Sequence, residues 1–221
     1  MAQIIGLEWT CGADYECVPL STEKSAPVIR QIGRKEIPVR PLDNPGLYLA
    51  FANLDRDAVA CLTFAREFGL LRTEAHDGAA ERLDLWQREI RKMKSLTSML
   101  GAGDDTPGGV IRTANSRTVK FKATSIDVVL ESRPKLDQRG RAIPDPHNPN
   151  NRPVLVLQPQ NLLEGMFLQL AQRVATEGSI YICKQCAKAF EAGVGESRRS
   201  IAQFCTERCK NRYHYLRRIG K

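Results

Sequence analysis

A chain of 221 residues, 42% apolar and 26% charged, has the composition of a folded protein with a packed core and not that of a disordered one. No run approaches the ~20 consecutive apolar residues of a membrane span, and the start MAQIIGLEWTCGADYE lacks the basic and long apolar segments of a secretion signal, so a soluble, cytoplasmic protein without membrane contact is expected. The net charge of +8 is unevenly placed: residues 181 to 221 hold ten Lys or Arg against three Asp or Glu, while residues 1 to 180 hold 23 against 22, the pattern of a polyanion-binding appendage on a neutral scaffold.

Pro19, Pro27, Pro38, Pro41 and Pro45 break up the first fifty residues and predict short strands there, over 4–9 and 37–40, joined by loops. From Asp55 the pattern turns helical, with Asp55 as the cap, Val59, Leu62, Phe64 and Ala65 as the apolar stripe and Gly69 as the stop. A second helix is predicted over 78–100. There Leu83, Trp86, Ile90, Met93, Leu96 and Leu100 recur at spacings of three and four, a core-facing stripe. Four glycines between Gly101 and Gly109 predict a loop, and strands are predicted over 118–124 and 127–130. The proline-rich stretch 133–153 reads as a long excursion. Residues 154–157 form a strand or an extended lead into a helix over 161–177, where Leu162, Met166, Leu170 and Val174 repeat every four residues. The fold class expected is mainly α with short β-strands (α+β). Residues 1–178 are expected to form a mostly helical domain with the proline-rich loop 133–153, and 179–221 a four-cysteine zinc-finger domain joined to it by a short rigid connection.

Seven cysteines is an odd number, and four of them stand in two tight pairs: Cys183-Lys184-Gln185-Cys186, then eighteen residues, then Cys205-Thr206-Glu207-Arg208-Cys209. In a reducing compartment such pairs point to metal and not to disulfides. Two cysteine pairs supply the four soft, tetrahedral ligands of a closed structural zinc site. Cys11, Cys17 and Cys61 read as small apolar side chains of the core. The first arm follows a strand-like stretch over 179–182 and precedes Phe190, as a knuckle turn between strands would. The second arm spans one turn of a helix, in a treble-clef-like arrangement. At ~100° per residue that helix turns Cys205, Cys209 and Leu216 inward and places His214 roughly opposite, so His214 is not a ligand.

At Cys209-Lys210-Asn211-Arg212 the chain resembles the CGNR zinc-finger family of bacterial proteins, with lysine in place of that family's glycine. The CxxC arm, Phe190, the pair Arg198 and Arg199, and the Phe204-Cys205 step are similar too. So, loosely, are LAFANLDRDAVACLTFAREFGLL (49–71) and LQPQNLLEGMFLQLAQRVATE (157–177), which resemble the helical domain preceding the finger. The resemblance implies a stress-induced transcription regulator that binds DNA through its finger.

The leading expectation is therefore nucleic-acid binding, DNA favoured over RNA. Arg198, Arg199, Arg208, Lys210, Arg212, Arg217 and Arg218 would neutralise phosphates, while Tyr213, His214 and Tyr215 would stack or touch sugars. The larger domain would sense a small-molecule effector or form a homodimer, with a pocket between the helices over 55–100 and 161–177. The alternative is a zinc-stabilised platform for protein interaction, in which the basic residues offset the charge of the thiolates. No catalytic set can be assembled from three scattered histidines, and His76 and His147 read as surface loop residues, so an enzyme is not expected.

Overall fold

The computed structural model describes residues 3–4, 7, 9–19, 26–101, 126–131, 135–136, 142–143, 154–175, 179–192 and 202–220. Within them helices combine with small, mostly antiparallel sheets, an α+β arrangement. No described helix is long and apolar enough to cross a membrane.

The amino-terminal part is a set of short strands: β1 (Gln3–Ile4), β2 (Trp9–Gly12), β3 (Tyr15–Val18), β4 (Val28–Gln31) and β5 (Glu36–Val39). β2 pairs with β5 and β3 with β4, both antiparallel. A 3-10 turn at Pro41–Asp43 then leads into α1 (Leu47–Ala52), a helix that the proline punctuation of this region conceals. Its stripe is short but clear, since Leu47, Tyr48, Phe51 and Ala52 are all fully buried.

α2 (Ala58–Phe68) starts two residues later than the sequence suggests, because the cap is Asp57, whose side chain accepts a hydrogen bond from the Ala60 N–H at 2.7 Å. The inward face is Cys61, Phe64 and Ala65. Val59 stands two residues from Cys61, a turn of ~200°, and is 73% exposed, outside the stripe expected for it. Gly69 ends the helix at φ +90°, and a Cβ there would meet Trp9 Nε1 at 2.9 Å, so backbone freedom and close approach both require glycine.

The second predicted helix also begins late. Residues 80–82 form β6 (Ala80–Arg82), which pairs with β4 and places Glu81 opposite Ile29. The Glu81 carboxylate is buried and accepts the N–H groups of Leu71, Arg72 and Thr73, fastening the loop after α2 to the sheet. α3 (Leu83–Gly101) follows, with Leu83, Trp86, Ile90, Met93 and Leu100 buried and Leu96 half-buried, as the periodicity requires. Phe51, Phe64 and Trp86 join α1, α2 and α3 in a ring cluster with centroids 5.4 to 6.4 Å apart, Trp86 meeting both phenylalanines edge-to-face and the two phenylalanines tilted on each other. Each such pair adds about 0.5–1.5 kcal/mol to the area it buries.

β7 (Ile126–Glu131) falls on the second predicted strand pair member, and within the proline-rich stretch β8 (Lys135–Leu136) pairs with β9 (Ala142–Ile143). The expected loop after Gly101, the strand over 118–124 and His147 lie outside the described residues. β10 (Val154–Pro159) runs antiparallel to β7 and parallel to β1. It leads into α4 (Leu162–Ala175), capped by Asn161, whose Oδ1 accepts from the Glu164 N–H at 3.0 Å, while the Glu164 carboxylate accepts from the N–H of the preceding Gln160 at 3.2 Å. Leu162, Leu163, Met166 and Leu170 of α4 close the core. Cys11 and Cys61 are buried and Cys17 half-buried, and burial pushes all three thiols up, Cys61 to about 12.

Candidate metal centre

β11 (Ser179–Ile182) and β12 (Ala189–Ala192) form an antiparallel hairpin with Tyr181 opposite Phe190 and Ile182 opposite Ala189. The turn between them is closed by two backbone bonds of 2.9 Å, from the Cys183 N–H to the Lys188 carbonyl and from the Ala187 N–H to the Cys183 carbonyl. Ala187 takes up the reversal at φ +56°, a left-handed conformation unusual for a residue with a Cβ. The Lys184 N–H donates to the Gln203 carbonyl at 3.0 Å and draws the segment before Cys205 alongside the turn.

Thr206 caps α5 (Glu207–Arg218), its side-chain oxygen accepting from the Cys209 N–H at 3.1 Å. The second arm is therefore not one helical turn, as its spacing suggests: Cys205 precedes the cap and only Cys209 lies in the helix. A threonine able to satisfy an open N–H of the first turn decides the start.

These elements bring Cys183, Cys186, Cys205 and Cys209 together, with all four Sγ atoms within 4.8 Å of one another. Cys205 Sγ lies 3.5 Å from both Cys186 Sγ and Cys209 Sγ. A tetrahedral ion with ~2.3 Å bonds separates its sulfurs by roughly 3.8 Å, so this set could hold a metal ion with little rearrangement. The four thiols are not electrically equivalent. Burial opposes ionisation of Cys183, but the backbone N–H groups of Cys205, Cys186 and Gln185 aim at its sulfur and bring it down to about 6. Burial and the crowding of the other three thiols push Cys205 up to about 12, and burial raises Cys186. One thiolate is thus ready, and at least two further protons must leave when a cation binds.

The hairpin has two apolar faces, because strand side chains alternate. Tyr181, Cys183, Phe190 and Ala192 belong to a small core beneath the cysteines, with Phe204, Cys205 and Cys209 packed against it. The opposite face sends Ile180 and Ala189 into the core of the helical body, with Ile182 beside them. Three polar groups of that body fasten it. The Asn53 side-chain amide donates to the Ala189 carbonyl at 2.8 Å and accepts from the Ala189 N–H at 2.9 Å, standing in for a neighbouring strand. The Tyr48 hydroxyl donates to Glu191, and the Arg173 guanidinium meets the same carboxylate. Tyr48, Asn53 and Arg173 carry no signal in sequence spacing. Glu191 does, as a lone acid in the apolar run Ala189–Ala192.

α5 buries no residue. Cys209, Tyr213 and Leu216 are half-buried on its inner side, whereas Arg208, Lys210, Asn211, Arg212, Arg217 and Arg218 are exposed. Lys210 makes one surface ion pair, with Glu207 at 3.6 Å. Tyr213 is partly committed to internal packing, its ring 5.1 Å from that of Phe204. His214 is exposed, rests against Phe204 at 5.9 Å and is not part of the cysteine cluster. Arg198 and Arg199 lie outside the described residues. His76 is exposed in a loop, bonded to the Glu74 carbonyl.

A separate cleft of about 720 Å³ opens between the α1–α2 connection and α3, bordered by Asp55, Arg56, Asp57, Arg91, Lys94 and Ser98. It lies on the 55–100 side of the expected pocket, and no residue of α4 lines it. No family model, curated protein or solved structure matches this chain.

Proposed function

We propose that Cys183, Cys186, Cys205 and Cys209 hold a structural zinc ion in a treble-clef-like finger, and that the finger's basic helix binds nucleic acid, DNA before RNA, as part of a transcriptional regulator. What carries this reading is the state of α5: a helix that buries no residue, yet is fixed at its first turn by a potential metal ligand and presents Arg208, Lys210, Arg212, Arg217 and Arg218 to solvent. The excess cations have no packing role that would account for them. The all-thiol donor set suits zinc, and four such ligands fill a tetrahedral shell, so the ion would shape the module and take no part in a reaction. The resemblance of Cys209-Lys210-Asn211-Arg212 to the CGNR finger points the same way.

Fluorescence anisotropy of the zinc-loaded protein with mixed-sequence duplex DNA and single-stranded RNA, across a salt series, tests the reading. With about five phosphates engaged, log K falls against log salt with a slope of roughly −4 to −5 on duplex DNA. Replacing Lys210, Arg217 and Arg218 together by alanine should abolish most of the binding. Affinity indifferent to salt, or no binding at low salt, would reject it.

One observation favours a second share of function. Because one hairpin face is built into the helical body, the zinc unit also braces that body, which is what an interaction platform needs. The cleft beside Arg56, Arg91 and Lys94 is the place for an effector of the larger part, and thermal-shift screening with small anions tests that assignment.

A further inference from the structure

The outer face of α5 carries more than charge. Around the helix, at ~100° per residue, Cys209, Tyr213 and Leu216 define the inner side, and Arg208, Asn211, Tyr215 and Arg218 form a row on the opposite side at successive spacings of three, four and three. All four are exposed, Tyr215 by 62%. Arg212 flanks the row on one side; on the other Glu207 and His214 come next, both exposed, with Lys210, paired to Glu207, and Arg217 beyond them. Among the described residues, neither Asn211 nor Arg208, Arg212, Arg217 and Arg218 has a side-chain partner.

We infer that this row reads base edges in the major groove of duplex DNA, with Asn211 selecting adenine and Arg208 and Arg218 selecting guanine, while Lys210, Arg212 and Arg217 hold the phosphates of the two groove walls. The inference rests on the nucleic-acid reading above and names its substrate class. The dimensions agree: twelve residues make a helix ~18 Å long and ~10–12 Å across, and the major groove is ~12 Å wide. The chemistry agrees as well. An asparagine amide donates and accepts at once, as adenine N6 and N7 require, and an arginine fork matches guanine O6 and N7. Asparagine is a weak helix former and contributes nothing to a purely electrostatic contact, so its place in the centre of a cationic row is explained by readout and not by charge.

Single-stranded RNA fits this surface less well. Binding of unstacked bases relies on several exposed rings. Here Phe204 and Tyr213 lie 5.1 Å apart and pack on each other, and the exposed rings of α5 are Tyr215 and His214, the latter resting against Phe204.

The test uses the zinc-loaded full chain in binding-site selection from a randomised duplex library, followed by anisotropy on the selected duplex across a salt series. The expected result is a preference over about three or four consecutive base pairs. Asn211→Ala should lose about 5- to 100-fold discrimination at one A·T position with an unchanged salt slope. Lys210→Ala and Arg217→Ala should each reduce the slope by about 1 and leave the preference intact. Zinc content and circular dichroism of each variant, matched to the parent, tie these effects to the surface; Asn211→Gln should keep part of the preference. Salt-dependent binding with no base preference would overturn the inference while leaving the nucleic-acid reading in place, as would Asn211→Ala behaving like Lys210→Ala or tighter binding to single-stranded RNA. Absence of binding to either polymer would remove both.

Discussion

The Glu191 carboxylate meets the Arg173 guanidinium at 3.1 Å in a place where the two side chains are only 17% and 23% exposed. Glu191 comes from the hairpin that carries the first cysteine arm and Arg173 from α4, so this ion pair, with the Tyr48 hydroxyl on the same carboxylate, joins the metal unit to the helical body. Removing one partner strands the other in a poorly solvated site. Glu191→Ala is expected to cost about 2 kcal/mol, read from chemical denaturation of the metal-loaded protein. The double variant Arg173→Leu/Glu191→Leu should recover much of that loss, because it leaves no unpaired charge. A Glu191→Ala midpoint equal to the parent's would show the pair to be peripheral.

Metal removal should act unevenly along the hairpin. The face bearing Ile180 and Ala189 is held by the main core, whereas α5 buries no residue and depends on Cys209 and the ring packing of Phe204. Strong chelation is therefore expected to expose residues 202–220 to protease and to fast hydrogen exchange, with residues 47–101 staying protected. Equal protection of α5 with and without chelator would show that the metal does not hold it.

Metal affinity should weaken as pH falls, and the sign follows from the thiols. Cys205 and Cys186 are raised and hold protons at neutral pH, so each must lose one to bind, while Cys183, down to about 6, is already ionised there. At least two protons released per ion mean that apparent affinity drops by at least about a hundredfold per pH unit between about pH 8 and 7, and more steeply below about 6, where Cys183 takes up a further proton. Competition against a chromophoric chelator at several pH values measures the slope, and a slope clearly below two protons per ion would contradict this picture.

Ala187 holds φ +56° in the turn between the first two cysteines, where a Cβ is a burden and glycine carries none. Ala187→Gly should raise stability of the loaded protein by about 0.5–1 kcal/mol and tighten metal binding by a small factor. Ala187→Val, branched at Cβ, should do the reverse. A calorimetric scan of the three proteins would decide it, with a fall in melting temperature for the glycine variant counting against the strain.

The sequence alone was enough to find what depends on local order and spacing. Four cysteines in two close pairs, the three-and-four rhythm from Leu83 to Leu100, the helix ended by Gly69 and the strand before Cys183 are all set by neighbours along the chain, and the structure has each of them. Other features depend on partners far away in the chain. Residues 80–82 are strand and not helix because β4 offers them a pairing edge. Others are local but turn on one bond among competing choices: Asp57 and not Asp55 caps α2, and Cys205 stays outside α5, because the N–H groups of Ala60 and Cys209 donate to Asp57 and Thr206. The two-sided hairpin was legible as a strand pair, but which body its outer face would meet was not. Tyr48, Asn53 and Arg173 reach Ala189 and Glu191 from positions 18 to 143 residues away along the chain, and only the packing of α1 and α4 puts them there. Spacing carries the chemistry of the four cysteines that could hold a metal, which lie within one short segment; the attachment of that segment to the rest is a matter of shape, which only the assembled core supplies.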